Sequence, residues 1–248
     1  MDGIELNRKF MRSNFAETEK IKSDQELELP QPPLEKPYDQ DAVIIDLPKY
    51  GENVISKKEI LACMKSRRSR RKYSKTPLSM EELSFLLWAT QGVDKVVKNN
   101  YATLRPVPSG GARHAFETYL AVNNVDGLNK GIYRYLPLEH KLSALYNEDN
   151  IGAKIISATM DQKFTGQCAV TFIWSCIPYR SEWRYSVSAH KTMLLDAGHI
   201  CQNLYLACEA VGCGTCAIAA YDQKLLDDLI KVDGNDEFSV YLASVGKK

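Results

Sequence analysis

The spacing of apolar residues predicts one long helix and several shorter ones. Between residues 190 and 211, apolar side chains recur at intervals of three and four, as in a helix with one buried face. These side chains are Met193, Leu194, Ala197, Ile200, Leu204, Ala207 and Val211. Gly212 is expected to end this helix. Shorter helices are predicted from Ser56 to about Lys65, after the capping box of Ser79 and Glu82, and over residues 223–231.

Shorter runs that are rich in β-branched and aromatic residues predict strands. Strands are expected over residues 117–122 and 238–245, a buried strand over 168–177, and a hairpin over 131–142. Strands and helices do not alternate strictly along the chain. The pattern therefore predicts an α+β fold with a central mixed or antiparallel sheet, and not a doubly wound sheet.

The first 55 residues differ from the rest and are expected to form a proline-rich N-terminal arm, ahead of one domain over residues 56–248. Five of the ten prolines lie between residues 30 and 48, and each favours an extended chain in the residue before it. This stretch can be neither a helix nor a central strand. The apolar residues 43–45 and Leu47 favour an arm docked on a surface, of this chain or of a partner, over a floppy leader.

Composition places the chain among ordinary globular proteins. Of its 248 residues, 44% are hydrophobic and 25% are charged, and the net charge of +1 excludes a general binder of polyanions. The N-terminus has neither a basic region nor an apolar stretch of the signal-peptide kind, and the longest apolar run is too short to span a bilayer. Seven cysteines, an odd number, favour a reducing compartment. We expect a cytoplasmic protein without membrane contact.

Seven of the eleven residues from 65 to 75 are cationic, which is a density that repels itself unless an anion lies beside it. Arginine guanidinium groups match phosphate oxygens, and Ser69 can add a hydrogen bond. A phosphate-bearing small ligand therefore fits this run. A nucleic-acid patch and a solvated surface run are the alternatives that the spacing leaves open.

Two further segments have small residues that would let a flat ligand approach the backbone. Residues 105–114 contain Pro-Ser-Gly-Gly ahead of a strand, and residues 212–221 follow the long helix. A plain turn explains the first segment equally well, and tight packing at a helix end explains the second.

No metal site is expected. Cys208, Cys213 and Cys216 have the spacing of three iron–sulfur ligands, but no fourth cysteine follows them. Asp196 and His199 share a face of the long helix, where a hydrogen-bonded core pair is favoured over a site. Arg184 and Tyr185 are expected in a loop that precedes this helix.

In order and spacing, these features resemble the nitroreductase superfamily of FMN enzymes, and in particular its SagB-type dehydrogenase branch. The resemblance covers residues 56–246. It depends on eight segments, which are residues 67–73, 83–92, 105–114, 131–135, 195–199, 202–204, 212–216 and 245–246. It implies an α+β fold, a homodimer with the long helix at its interface, and FMN bound between the subunits.

The resemblance also implies roles for single residues around FMN. In the family's Arg-x-Ser-x-Arg motif, Arg67 would hold the phosphate, with Arg68 in the same set and Ser69 at the phosphate or ribityl chain. Arg71 would lie at the pyrimidine edge, where its charge stabilises the reduced flavin.

Other cofactor contacts would come from later in the chain. The residues concerned are Pro108, Ser109, Gly110, Gly111, Arg113, Ala219, Ala220 and Lys247. The four residues 108–111 would approach the flavin, often from the other subunit, and Arg113 would substitute for an asparagine that many members carry one residue earlier. The backbone of Ala219 and Ala220 would face flavin N5, and Lys247 would partly replace basic residues found past the last strand.

The function implied is hydride transfer from NADH or NADPH to flavin N5, and from there to a small electron acceptor. Arg184 and Tyr185 are the candidate catalytic residues, and they stand where azoline-oxidising members carry Lys-Tyr. Arginine stays protonated and does not readily replace a lysine base. Dehydrogenation of a peptide or natural-product intermediate, with oxygen as acceptor, is the alternative activity. A flavin-storage or sensor protein is the non-enzymatic one.

Overall fold

The computed structural model describes residues 2–248, which form nine α-helices and nine strands. The helices are α1 (Gly3–Phe10), α2 (Phe15–Thr18), α3 (Ile60–Ser66), α4 (Met80–Gln91), α5 (Ile151–Ala158), α6 (Phe164–Gln167), α7 (Tyr179–Tyr185), α8 (Ala189–Ala210) and α9 (Gln223–Ile230). The strands are β1 (Val43–Asp46), β2 (Lys95–Val97), β3 (Ala102–Leu104), β4 (Phe116–Val122), β5 (Gly131–Leu136), β6 (Lys141–Asn147), β7 (Val170–Cys176), β8 (Cys213–Ile218) and β9 (Phe238–Lys247).

Seven strands form one sheet in the order β1-β6-β5-β4-β7-β9-β8, and each neighbouring pair is antiparallel. β2 and β3 form a separate hairpin. The predicted α+β class and the predicted strands are confirmed. Every residue of β4, β5 and β7 is buried, since helices cover both faces of the sheet centre.

The two sheet faces pack against different helices. Alternate strand residues such as Leu120 and Trp174 join α4 and α8 in the larger apolar cluster. Their sequence neighbours Tyr119 and Ile173 point the other way and pack with α5 and α9. The long helix α8 thus lies on one face of the sheet.

Three of the four predicted helices lie where they were expected, and the fourth starts later. The capping box of Ser79 and Glu82 opens α4, and α8 and α9 match their predicted ranges to within one residue. The helix expected at Ser56 begins only at Ile60. The backbone N–H and the hydroxyl of Ser56 both donate to the carbonyl of Ala210, at 2.9 and 3.0 Å, so Ser56 caps the end of α8 instead.

The segment 212–221, interpreted from sequence as a turn after a helix, is largely the edge strand β8. Its small residues hide this, because a strand of Cys, Gly, Thr and Ala has weak β-propensity and depends on pairing with β9. Arg184 and Tyr185, expected in a loop, are the last two residues of α7.

The N-terminal arm lies on its own chain. Its strand β1 pairs with β6 at one edge of the sheet. The indole of Trp183 donates to the carbonyl of Leu29, and Arg134 donates to that of Pro37, each at 3.0 Å. No helix within residues 2–248 has the length and apolar character needed to cross a membrane.

Candidate functional site

The cationic run lies along the edge strand β8. Ser69 bridges Thr215 in parallel, and the Arg70 N–H donates to the Thr215 carbonyl at 2.9 Å. The hydroxyls of Ser69 and Tyr205 are 2.9 Å apart, and Tyr205 also accepts the N–H of Ala217 at 3.0 Å. Tyr205 on α8 therefore joins the run to the strand.

Most of this positive charge has no acidic partner. Of the seven cations between residues 65 and 75, only Arg70 has a carboxylate within 4.0 Å anywhere in residues 2–248. The Arg67 guanidinium lies over the Tyr205 ring, 5.2 Å from its centre, and the Arg71 guanidinium lies 5.7 Å from the centre of the Phe164 ring. Six cations within eleven residues that lack acidic partners form a stretch of chain that an anion would stabilise.

Glu209 near the end of α8 holds the base of this site. Its carboxylate accepts from Ser66 and Lys248, each at 2.7 Å, and lies 3.4 Å from the Lys57 ammonium and 3.8 Å from Arg70 Nε. Burial raises the pKa of Glu209, but hydrogen bonds from Lys248 and Ser66 outweigh it, so the pKa lies below its usual value. Glu209 is therefore ionised, and its carboxylate holds Ser66 and Lys248 at this end of the site.

Two buried polar atoms beside this site lack hydrogen-bond partners, namely Arg70 Nε and the Thr215 hydroxyl. A buried donor left unpaired costs free energy, so such atoms often mark a place where a ligand or water binds. Arg70 Nε already faces Glu209, so the half-buried Arg67 guanidinium and the exposed Ser69 hydroxyl are the donors here that suit a phosphate monoester.

Other residues predicted near a cofactor lie at the two ends of β8. Ala219 and Ala220 follow the strand and are exposed, and the Ala220 carbonyl accepts from Gln162 at 2.9 Å. Lys247, at the end of β9, is paired with the carboxylate of Glu82. Its ammonium is thus already neutralised within the chain.

A second cluster forms where residues 108–114 meet the start of α8. The Ser109 hydroxyl donates to Asp196 Oδ2 at 2.6 Å, and the Gly110 N–H lies 3.2 Å from both carboxylate oxygens. Burial raises the pKa of Asp196, and these hydrogen bonds oppose it. Asp196 is buried as expected, but His199 is exposed and 4.0 Å away, so the predicted core pair is wrong for the histidine.

The glycines of this segment are in close contact with the candidate catalytic residues. Gly111 has φ +59°, and a Cβ there would lie 2.4 Å from the Tyr185 hydroxyl and 3.0 Å from Arg184. A Cβ on Gly110 would lie 2.3 Å from the Thr192 methyl group. The sequence therefore brings Gly110, Gly111, Arg184 and Tyr185 together, and only glycine allows this approach.

Arg113 is buried beneath this cluster. Its guanidinium lies 4.6 Å from the Tyr101 ring centre and 5.5 Å from that of Trp183, and donates to the carbonyls of Gly111 and Tyr101. Within one chain Arg113 therefore supports the Gly111 backbone and has no free path to a ligand.

The two clusters lie at different places on α8. Asp196 marks the second cluster and Tyr205 the first, and nine residues of helix rise about 13 Å. The structure thus brings Arg67, Ser69 and Arg71 near β8, and it brings Ser109, Gly110, Gly111 and Tyr185 together elsewhere.

Tyr205, Glu209 and Tyr101 are functional candidates that the sequence alone did not indicate. Each one acts on residues more than 80 positions away, such as Ser69, Ser66 and Arg184. No local spacing rule finds contacts of this kind. The seven cysteines are all free and buried, and residues 2–248 contain no group of three or more His, Cys, Asp or Glu arranged to hold a metal ion.

The geometry defines an α+β domain with a cationic run along the edge of its sheet and two glycines packed against Thr192, Arg184 and Tyr185. The chain matches the nitroreductase family over residues 64–247 and belongs to it. Family membership implies an oxidoreductase.

Three similar proteins illustrate the match. The nitroreductase homologue MJ1384 of Methanocaldococcus jannaschii is 29% identical over 208 residues, which are 84% of this chain and 98% of that protein. The trifolitoxin-processing protein TfxB of Rhizobium leguminosarum is 28% identical over 165 residues, which are 63% of this chain but only 44% of TfxB. The crystal structure of a nitroreductase homologue from Ralstonia eutropha shares the fold with a TM-score of 0.67 at 22% identity, covering 88% of this chain and 98% of the other.

Proposed function

We propose that this protein is a cytoplasmic, homodimeric, FMN-dependent oxidoreductase that takes electrons from NADH or NADPH. The observation that carries the proposal is the cationic run 65–75 at the edge of β8, in which six of the seven cations have no acidic partner and the Ser69 hydroxyl lies 2.9 Å from that of Tyr205, under the Arg67 guanidinium. A phosphate would satisfy this group at a single point. A polyanion binder would instead need cations spread over a face, whereas these lie within eleven residues.

In this proposal Arg67 and Ser69 hold the FMN phosphate, with Arg68 adding charge at the exposed side. The Tyr205 ring keeps the Arg67 guanidinium in place, and Arg71 extends along β8 toward the flavin ring. The exposed backbone at Ala219 and Ala220 lines the ring's edge. Lys247 acts indirectly, because its pairing with Glu82 leaves it little charge to offer.

The second subunit completes the site in this proposal. Asp196 and Tyr205 are nine residues apart, about two and a half turns, so the two clusters lie on opposite sides of α8. Leu194 and Leu195 are 50% and 57% exposed on α8, which is unusual for a long helix on a sheet and supports a partner helix there. Across such an interface, the segment Pro108–Gly111 of one protomer would face the cationic site of the other.

FMN, when bound, would supply a centre that takes a hydride at N5 and passes two electrons to an acceptor. The residues of this chain would bind FMN and orient the substrate beside it. The Arg184 guanidinium can hold an oxygen of the substrate, and the Tyr185 hydroxyl, packed on Gly111, can donate a proton to it. The glycines at 110 and 111 let Thr192, Arg184 and Tyr185 lie close to the backbone.

Anaerobic mixing of the flavin-loaded protein with NADH or NADPH tests this activity. We expect loss of flavin absorbance with one of the two donors, and its return on addition of a nitroaromatic or quinone acceptor. Loss of absorbance with neither donor would contradict the proposal.

That outcome would favour the second candidate function, which is dehydrogenation of a peptide or natural-product intermediate with oxygen as acceptor. The similarity to the trifolitoxin-processing protein TfxB supports this alternative.

A further inference from the structure

The N-terminal segment 15–31 lies outside the residues that match the family, yet it contacts the candidate catalytic pair. Its backbone is tied to α7 by hydrogen bonds between Gln25 N–H and the Trp183 carbonyl at 2.8 Å, and between the Trp183 indole and the Leu29 carbonyl at 3.0 Å. The hydroxyls of Thr18 and Ser188 are 2.6 Å apart. Contacts at several points along the segment give it a defined position over α7.

Between this segment and α7 lies a cavity of ≈ 500 Å³. The segment lines it with Phe15, Thr18 and Ile21, and the opposite side includes Arg184, Tyr185 and Ser188. The Phe15 ring meets the Tyr185 ring edge-on, with centres 6.2 Å apart. A volume of this size accommodates a molecule of one or two rings.

Arg184 is held in this cavity by the Tyr101 hydroxyl, which also binds Gln25 of the same segment. We call these three residues the Tyr101 relay. Arg184 Nη1 donates to the Tyr101 hydroxyl at 2.5 Å, and Gln25 Nε2 donates to that hydroxyl at 3.0 Å. The Tyr101 oxygen thus accepts two hydrogen bonds, and no carboxylate within residues 2–248 lies close enough to pair with Arg184. The guanidinium keeps donors that the relay does not use.

The local fold explains why the Tyr101 hydroxyl can bind both Arg184 and Gln25. Lys98, Asn99 and Asn100 at the tip of the β2–β3 hairpin all have positive φ, between 51° and 66°, which turns the chain sharply before Tyr101. The tyrosine ring then lies under the Arg113 guanidinium, with its hydroxyl between Gln25 and Arg184.

We propose that segment 15–31 is a wall of the substrate pocket and that Gln25, through Tyr101, positions Arg184 toward a planar, oxygen-bearing substrate of one or two rings. The inference rests on the proposed function, and it assigns substrate selectivity to an arm outside the family match. Tyr101 and Gln25 are positioning residues, since they act through Arg184. The acids at the rim, Glu19 and Glu26, do not neutralise Arg184, and Glu26 is occupied by the N–H and hydroxyl of Ser23.

The test compares Tyr101→Phe and Gln25→Ala with Tyr38→Phe in the flavin-loaded protein. Tyr38→Phe is the matched control, because Tyr38 lies in the N-terminal arm outside segment 15–31 and its hydroxyl donates to Glu139 at 2.8 Å. The dissociation constant of 4-nitrobenzamide is measured from the flavin absorbance without donor, and KM and kcat are measured with NADH or NADPH.

For Tyr101→Phe we expect the dissociation constant and KM to rise about tenfold, as for a lost hydrogen bond to a charged group, with kcat and flavin content nearly unchanged. Gln25→Ala should show a smaller rise in the same direction, and Tyr38→Phe none. In an Arg184→Gln background, Tyr101→Phe should add no further loss. Equal effects of Tyr101→Phe and Tyr38→Phe, or full additivity with Arg184→Gln, would overturn the positioning of Arg184 through Tyr101.

The wall is tested separately by Phe15→Ala. We expect the ratio of kcat/KM for 1-nitropyrene, with four rings, to that for 4-nitrobenzamide to rise about tenfold, because the variant removes a ring at the cavity mouth. An unchanged ratio would overturn the assignment of segment 15–31 as a wall of the substrate pocket. A wild-type protein that takes up no FMN would instead refute the proposed function, so the two failures are distinguishable.

Discussion

Arg67→Ala tests the phosphate assignment most sharply, because the Arg67 guanidinium makes few stabilising contacts within the chain. It contacts the Tyr205 ring at 5.2 Å and has no carboxylate within 4.0 Å in residues 2–248. An exposed cation–π contact contributes about 0.5–1 kcal/mol, and removing one of several crowded cations relieves repulsion. The free energy of unfolding should therefore change by less than about 1 kcal/mol.

The effect on FMN should be much larger. A hydrogen bond to a charged group contributes about 1.5–3 kcal/mol, and each 1.4 kcal/mol is a factor of ten in affinity. The dissociation constant of FMN should rise about 10- to 150-fold, as measured by quenching of flavin fluorescence when apoprotein is titrated. Lys72→Ala is the matched control, since it removes an exposed cation of the same run. Equal losses in the two variants, or no loss for Arg67→Ala, would refute a direct phosphate contact.

Three further predictions concern stability and pH. Gly110→Ala should lower the free energy of unfolding by about 1–3 kcal/mol in urea titrations, because the added Cβ would lie 2.3 Å from the Thr192 methyl group; a neutral substitution would contradict the close contact. Glu209→Gln should cost about 2 kcal/mol at neutral pH, because Lys248 and its cationic neighbours lose their carboxylate. The pKa of Glu209 is lowered, so this cost should shrink as pH falls through that pKa, and a pH-independent cost would refute the assignment. The pKa of Asp196 is raised by burial, so wild type should lose stability relative to Asp196→Asn as pH rises through the Asp196 pKa, and the opposite slope would show that its hydrogen bonds outweigh burial.

Elements with strong local patterns were predictable from the sequence. β7 and α8 agree with their predicted ranges to within two residues, because an uninterrupted apolar run and a sustained three–four spacing leave little choice of structure. β8 escaped prediction because its pairing with β9, and not its own side chains, makes it a strand. α7 escaped because seven residues are too few to establish a period.

The candidate site also has a part that the sequence predicts and a part that it does not. The anion-binding run at residues 67–71 is visible in the sequence, since its charge is concentrated in a few adjacent positions. Its supports, Tyr205 and Glu209, come from the far end of α8, and folding alone brings them to Ser69 and Ser66. The Tyr101 relay depends on a hairpin turn in which Lys98, Asn99 and Asn100 have positive φ. No sequence pattern predicted this conformation.

FMN binding is the central claim, and equilibrium dialysis of the purified, flavin-stripped protein against FMN tests it directly. We expect one FMN per chain, a yellow protein, and weaker binding of riboflavin, which lacks the phosphate of FMN. A colourless protein that takes up no FMN, or one that binds riboflavin as tightly as FMN, would contradict the assignment of the residue 67–71 cations to a phosphate.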